Sequence, residues 1–280
     1  MNVTNPADCL TISGSVGGGA LTKTGSGLLV LAGSNISTGV MIAAGAISLS
    51  NASAAANSTV TASVNNALLF NSNSGAITTF NVGGLAGNGN IGLADGSHAL
   101  TLSAGGDGAG TIYRGGLSGA GGLTKVGSGT LVLCGSNTYS AATTVAAGTL
   151  KLDFSQAGAP TANIINNLSD SSSLALGGGT LAIQGNLGPS ATNSQQSYGL
   201  AVNAGCSAIV LTTAGTSDRL LLSMGSISRM TGGTVDFTLP GGTQSAANGI
   251  TTSSPNINGI LGGYATVGGT KWATLGLVSR

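Results

Sequence analysis

Apolar residues along this chain come in runs of three to five, and each run is bounded by Gly, Asn or Ser. Such short runs are typical of buried strands, because an amphipathic helix needs a longer periodic segment. The chain contains no Glu and only four Lys, so few residues favour solvent-facing helices and we expect almost no helix. The pattern predicts strands at Leu10–Ile12, Leu28–Leu31, Ala46–Leu49, Ala67–Phe70, Ala99–Leu102, Thr130–Leu133, Thr149–Leu152, Leu174–Leu176, Thr180–Ile183, Ala208–Leu211 and Arg219–Leu222.

The spacing of these runs indicates how the strands are connected. Leu31 and Leu49 are 18 residues apart, and Leu133 and Leu152 are 19 apart. This is too long for simple hairpins and too short for a crossover helix in every unit. It suits a parallel β-solenoid with one rung, or turn of the coil, per twenty or so residues. We expect Leu, Val and Ile to point inward, Ser, Thr and Asn outward, and Gly to form the corners.

An internal repeat supports this architecture. Residues 17–49 and 119–152 share the phrases LTK, GSG, GSN and AAG in the same order. Residues 50–118 are expected to form linking rungs, and residues 153–280 looser rungs. Nothing in the composition separates these regions, so we predict one continuous β-helix over 1–280. About a dozen to fourteen rungs at about 4.8 Å each would give a rod on the order of 60 Å. Neither terminus suggests a capping helix, so the chain is expected to be a fragment of a longer one.

Composition excludes several classes of partner. The net charge of +1 provides neither a basic stripe for nucleic acid nor a polybasic patch for a membrane surface. Aromatic residues, at 3%, are too few for a stacking platform for bases or sugars. No apolar run approaches the roughly 20 residues of a membrane helix, so we expect no direct membrane insertion by this segment.

Three motifs suggest chemistry, but a structural role accounts for each of them more simply. Gly87–Gly92 matches GxGxxG, but a strand rather than a helix follows it, so we predict a glycine-rich corner. Gly105–Gly110 resembles a calcium-binding nonapeptide, but Gly110 occupies the position of the liganding Asp. Asp95, Ser97 and His98 combine an acid, a hydroxyl and the single His, yet adjacency in a turn rarely produces a triad. We expect a solvated turn there.

Other chemistry-bearing residues are scattered along the chain. The Asp153/Asp170 and Asp218/Asp236 pairs lie loosely one rung apart, as a glycosidase carboxylate pair could, but Asp236 is expected to face solvent. The repeated Lys23 and Lys125 suggest a structural role, such as a stem covering a strand edge. Cys134 is expected to be a small buried residue, and disulfides or metal ligation by the three cysteines, which also include Cys9 and Cys206, are not expected. The chain has five glycosylation sequons, at Asn2, Asn35, Asn51, Asn57 and Asn167.

The repeat phrase identifies a family. GGLTKVGSGTLVLCGSNTYSAATTVAAGTLKL, at 121–152, closely resembles the autotransporter-associated β-strand repeat of passenger regions in secreted bacterial proteins. The first copy departs from the pattern, with Leu28 in place of Thr and Ile36-Ser37 in place of Thr-Tyr. A later stretch, from GGTVDFTLP to GGTKWA, is similar to a segment that often follows these repeats, although Lys271 replaces an expected Asp. The resemblance implies a right-handed parallel β-helix, export, and a role at the cell surface.

These observations together predict an exported structural or interaction protein of the bacterial surface, a stalk or fibre segment of an adhesin or autotransporter passenger. One alternative is a self-assembling extracellular filament or matrix subunit, and another is a polysaccharide-active enzyme on the same scaffold. No catalytic residue, cofactor or metal is predicted. The expected partners are further copies of the chain, other surface proteins, or host and matrix glycans.

Overall fold

A computed structural model describes residues 1–35, 37–165, 172–188, 190–215 and 217–274. Over these residues the chain is all-β with no helix, and therefore no helix that could cross a membrane. The strands of the first half are β1 Cys9–Ile12, β2 Leu21–Lys23, β3 Leu28–Leu31, β4 Gly39–Ile42, β5 Ala46–Leu49, β6 Ala55–Ala62, β7 Leu68–Phe70, β8 Thr79–Gly87, β9 Ile91–Gly92, β10 Ala94–Asp95, β11 His98–Ala99, β12 Thr101–Ala104, β13 Thr111–Tyr113, β14 Leu117–Ser118, β15 Gly122–Lys125 and β16 Thr130–Leu133. The strands of the second half are β17 Thr143–Val145, β18 Thr149–Asp153, β19 Leu174–Leu176, β20 Thr180–Gln184, β21 Thr192–Gln196, β22 Leu200–Val202, β23 Gly205–Thr212, β24 Arg219–Ser223, β25 Ile227–Arg229, β26 Gly233–Thr238, β27 Gly249–Thr251, β28 Ala265–Val267 and β29 Lys271–Trp272.

Most strands pair in parallel with the strand that follows one rung later in the chain. One column runs β1–β3–β5–β7. A second runs β15–β17–β19–β22–β25, and a third runs β16–β18–β20–β23–β26–β28. Only two pairs among the described strands are antiparallel, β10 with β11 and β28 with β29. Parallel pairing between successive turns of chain is consistent with the predicted β-solenoid.

The length of a rung changes along the chain. Within the repeat blocks, paired residues are 18 to 20 positions apart, as for Leu28 with Ala46 and Leu123 with Thr143. From β17 and β18 onward the separation is 26 to 31 positions, starting with Thr143 paired to Leu174. The prediction of about twenty residues per rung is therefore correct for the repeats and wrong for the C-terminal half.

The first long rung begins at a turn built around Asp153. Its carboxylate accepts bonds from the amide and hydroxyl of Ser155 and the side-chain amide of Gln156, and it pairs with the Lys151 ammonium at 3.0 Å. Burial, the largest single effect, would raise the pKa of Asp153, but the bonds from Ser155 and Lys151 outweigh it and lower that pKa. The turn directs the chain away from the sheet and starts the extra loop of this rung.

The predicted strands agree closely with the observed ones. Four have the predicted bounds: Leu28–Leu31, Ala46–Leu49, Thr130–Leu133 and Leu174–Leu176. Ala99–Leu102 is instead divided between β11 and β12 at Leu100, because β10 and β11 form a short antiparallel hairpin. Most apolar residues point inward as predicted and form one continuous core from Leu21 to Ala273, but others, such as Leu69 and Ile112, are exposed. The expectation that Ser, Thr and Asn all point outward is wrong, since Asn35, Ser37, Asn137 and Thr143 are buried.

The alternation along β16 yields a test of the stacked core. Leu133 is fully buried between Tyr113 and Leu152 of the adjoining rungs, whereas Val132 faces outward. We expect Leu133→Ala to lower the free energy of unfolding by about 2–5 kcal/mol through lost contacts and a residual cavity. Val132→Ala, the control on the same strand, should cost about 1 kcal/mol or less. Denaturant unfolding measures both, and equal effects would contradict the assigned register.

Two buried tyrosines predict alkaline destabilisation. Tyr113 donates to the Gly89 carbonyl at 2.7 Å, and Tyr139 shares a hydrogen bond with the Thr143 hydroxyl. Burial raises the pKa of both phenols. Because an unfolded tyrosine ionises near pH 10, the stability that these phenols contribute is complete below about pH 10 and is lost as the pH rises above it. Unfolding titrations from about pH 8 to about pH 11.5 should show this loss, and Tyr139→Phe should reduce it while Tyr198→Phe, at an exposed site, leaves it unchanged.

Candidate functional site

The two repeat copies build the same interior lysine site. In LTK the first and third residues face inward, so Lys23 and Lys125 lie inside the coil with 0% exposure. The prediction of a lysine stem over a strand edge is therefore wrong, although its structural role is supported. The Lys23 ammonium donates to the carbonyls of Thr24 at 2.9 Å and Gly25 at 2.7 Å, and to Ala44 of the next rung at 3.2 Å.

Lys125 repeats this arrangement in the second copy. Its ammonium donates to the carbonyls of Val126 and Gly127, and to Ala147 of the next rung at 3.4 Å. Burial lowers the pKa of both lysines, and the Asp107 carboxylate partly opposes the effect on Lys125. A lysine of lowered pKa can act as a nucleophile, but these side chains reach no solvent. The geometry therefore favours a bridge between rungs.

The AAG phrase of each repeat closes the lysine site from the next rung. Gly45 and Gly148 adopt φ values of 66° and 60°, a left-handed conformation that favours glycine. A Cβ on Gly45 would lie 2.5 Å from the Gly25 carbonyl and 2.8 Å from the Lys23 ammonium. A Cβ on Gly148 would lie 2.9 Å from the Lys125 ammonium. Glycine is required here by both backbone conformation and space.

The GSN phrase places a second bridging side chain inside each copy. The Asn137 carbonyl oxygen accepts from the Leu117 amide of the preceding rung at 2.9 Å, and its amide group donates to Gly135 and to Ile164 of the following rung, both at 2.9 Å. Asn35 does the same with Val16, Gly33 and Ala54. Each asparagine therefore joins three successive rungs. We call Lys23, Lys125, Asn35 and Asn137 the bridging side chains.

The glycine-rich motif forms a corner as predicted. Gly87 ends β8 with a φ of 101°, and β9 follows within the motif and pairs with β14. A Cβ on Gly87 would clash with the backbone of Ala62, and one on Gly89 with the backbone of Val64. The motif thus packs backbone against the preceding rung and is followed by a strand, not by the helix that a dinucleotide site requires.

The acidic candidates are engaged by the fold itself. Asp107 accepts from the Thr59 hydroxyl at 2.7 Å and from the Ala109 amide at 3.0 Å. Asp236 faces outward, as predicted, but is half-buried and accepts from Thr266 and Gly269. Asp170 lies outside the described residues. Among the residues the structure covers, no group of three or more His, Cys, Asp or Glu could hold a metal ion.

The Asp95, Ser97 and His98 group is a hairpin turn. Asp95 accepts from the amide and hydroxyl of Ser72, both at 2.7 Å, and the Ser72 hydroxyl bond is the largest cause of its lowered pKa. The His98 Nδ1 lies 3.2 Å from the backbone carbonyl of Asp95, not from its carboxylate. The carboxylate is therefore committed to Ser72 of the preceding rung, and the three residues do not form a triad.

The cysteines and sequons divide between buried and exposed positions. Cys134 is buried, as predicted, while Cys9 and Cys206 are exposed, and all three are free thiols. Asn35, the acceptor of one sequon, is buried with its amide fully engaged, so it is unsuited to glycosylation in the folded chain. Asn167 lies outside the described residues.

The lysine site predicts a large effect of a shape-conserving substitution. Lys125→Met keeps much of the side-chain volume but leaves three carbonyls without their donor, at a cost of about 1–3 kcal/mol for each buried group that finds no other partner. We expect the free energy of unfolding to fall by about 3 kcal/mol. Lys271→Met, at an exposed position, should change it by about 0.5 kcal/mol or less. Equal stability of Lys125→Met and the unmodified chain in denaturant titrations would refute the bridging role.

Comparisons with known proteins agree with this interpretation of the repeats. The family model of the passenger-associated-transport-repeat matches residues 21–49 and 123–152, which contain all four bridging side chains. The Adhesin BmaC autotransporter of Brucella suis biovar 1 (strain 1330) is 37% identical in an alignment of 224 positions that covers 71% of this chain and 6% of that protein. The chain thus spans a small part of the length of this relative. No solved structure matches the chain. Its location is extracellular or at the outer cell surface, and it belongs to the autotransporter passenger repeat proteins.

Proposed function

We propose that this chain is a stalk segment of a surface adhesin, a right-handed β-helical rod formed as one continuous coil over residues 1–280. The observation that carries the proposal is the recurrence of the bridging side chains with the same partners in both repeats. Each of them joins one rung to the next, so the hydrogen bonds that the two repeats share hold successive rungs together along the coil axis. The relative's name, an adhesin, supports a part in adhesion.

The rod gains rigidity from two sets of bonds that run along its axis. Backbone ladders join successive rungs on the outside, as between β16, β18 and β20. The bridging side chains join the same rungs at the corners, where the chain leaves one strand for the next. Because each rung contacts mainly its neighbours, additional repeats extend the rod without altering those already present. Such a segment holds adhesive surfaces away from the cell, and several rods side by side add avidity.

The role of the carboxylates favours a structural function over catalysis. Asp95, Asp107, Asp153, Asp218 and Asp236 each accept hydrogen bonds from backbone or side-chain donors that fix a turn or join two rungs. A glycosidase instead needs two carboxyl groups directed at one substrate bond. The adhesive and structural role therefore accounts for the acidic residues better than the polysaccharide-active alternative does.

Surface display tests the proposal. The chain would be fused to an autotransporter anchor, with an epitope at its outer end, and the cells tested for adherence to host-cell monolayers and extracellular matrix. We expect epitope exposure and adherence at least several-fold above cells that display the anchor alone. A fusion carrying Lys125→Met and Asn137→Leu should lose adherence as the rod weakens. Surface exposure without any gain in adherence would refute the adhesive role.

Light scattering of the purified chain distinguishes a stalk from a filament subunit. A stalk segment is expected to keep the monomer mass of 26.6 kDa across a wide range of concentrations. Mass that grows with concentration would instead support the self-assembling alternative.

A further inference from the structure

The three-stranded sheet β21–β24–β27 carries a polar groove along its outward face. Alternation places Thr192, Ser194 and Gln196 of β21, Arg219, Leu221 and Ser223 of β24, and Thr251 of β27 on this face, so that it is polar except at Leu221. Thr192 lies beside Arg219 at the N-terminal ends of β21 and β24. Gln196 lies beside Ser223, and Ser223 beside Thr251, at the C-terminal ends of the three strands. A cavity of 810 Å³ lies at the N-terminal ends of the strands and one of 400 Å³ at their C-terminal ends. The two cavities therefore flank one continuous face.

The first cavity is lined by polar residues, among them one arginine. It is lined by Arg219 and Asp218 together with the hydroxyl residues Ser190, Thr192 and Ser217. The Asp218 carboxylate is buried and accepts from the backbone amides of Ala191 at 3.1 Å and Gly215 at 2.8 Å. Within the described residues, the only salt bridge joins Lys151 to Asp153, so the Arg219 guanidinium is not paired with Asp218. Arg219 lines this cavity, and its guanidinium, with five N–H donors, has no carboxylate partner among the described residues.

The second cavity offers a different kind of contact. Ser226 lines its wall together with Ser197 and Thr252, whose hydroxyls donate to the carbonyls of Met224 and Gly225, and Tyr198 lines it with 54% of the residue exposed. An exposed aromatic ring beside hydroxyl groups suits the apolar face and the polar rim of a sugar ring. The five residues of β21 separate the two ends of the strand, and so the two cavities, by about 13 Å, a distance that a short oligosaccharide can span.

We propose that this groove binds an acidic polysaccharide, with a carboxylate of one sugar on Arg219 and another sugar ring against Tyr198. A guanidinium without a partner binds a carboxylate in a bidentate manner. The surrounding hydroxyl groups complement the hydroxyls of a saccharide, and the chain runs along the strands between the cavities. This assigns a ligand class to the adhesive role and rests on that proposed function.

Titration calorimetry of the full chain with a defined oligogalacturonate tests the proposal. We expect saturable binding, weakened at least about tenfold by Arg219→Gln and several-fold by Tyr198→Ala. A neutral maltooligosaccharide of the same length should bind at least about tenfold more weakly, because it lacks the carboxylate. Lys271→Gln, which removes an exposed positive charge outside the groove, should change the dissociation constant less than twofold.

The matched variants distinguish binding in the groove from loss of folding and from non-specific attraction to positive charge. Arg219 and Tyr198 are exposed, so both variants should retain the far-UV circular dichroism and unfolding midpoint of the unmodified chain. The proposal fails if oligogalacturonate does not bind, if the neutral oligosaccharide binds equally well, or if Lys271→Gln weakens binding as much as Arg219→Gln. Any of these results would leave the stalk intact if displayed cells still adhere. Loss of adherence together with retained oligogalacturonate binding would refute the stalk and keep the groove.

Discussion

The structure depends on satisfying the backbone polar groups at the corners of a thin coil. Along the strands, parallel ladders between rungs pair the amides and carbonyls. At the corners the chain leaves those ladders, and carbonyls such as those of Gly127 and Gly135 need donors from elsewhere. Lys125 and Asn137 provide them from inside the coil. Lysine and asparagine of the repeat are thus buried because the backbone carbonyls at the corners need hydrogen-bond donors from side chains.

This requirement explains the phrases that the two repeats share. LTK directs a lysine inward, GSG supplies one of the carbonyls that the lysine reaches, and AAG allows the next rung to pass over the ammonium. GSN supplies the asparagine that joins three rungs. The first copy departs from the pattern at Leu28, an outward half-buried position, and this leaves the bridging side chains unaffected. The copies also differ where Ser37 replaces Tyr139, and there each side chain is buried and makes its own hydrogen bond, Ser37 with Ser58 and Tyr139 with Thr143.

Sequence reasoning predicted the strands and the direction of pairing well, since both follow from apolar runs and their spacing. It predicted the polar interior poorly. A rule that places Asn and Lys on the outside considers only the free-energy cost of moving these side chains out of water, and not the backbone carbonyls that they can satisfy inside. The repeated occurrence of Lys23 and Lys125 at one slot was the available signal, and the Asn that both GSN phrases share carried the same information. The longer rungs after Thr143 could not be predicted from spacing alone, since their extra residues lie in turns such as that at Asp153. Arg219 and Tyr198 gave no sequence signal, because their proximity to the groove arises from pairing between distant strands.

The change in rung length gives the two halves of the chain different surfaces. Short rungs in the repeat leave little chain outside the ladders, which favours a regular and uniform surface. Longer rungs after Asp153 place additional turns around the coil, and both cavities of the polar groove lie among them. Interior amides persist there: Gln195 donates to Ile165 at 2.7 Å and Asn248 accepts from Leu220 at 3.0 Å, so the corners remain bridged without the repeat phrases. Once interior amide side chains satisfy the backbone polar groups at the corners, the residues of the outward face can vary without destabilising the coil. A ligand-binding surface can therefore arise on the irregular rungs while the repeat preserves the regular stacking of the coil.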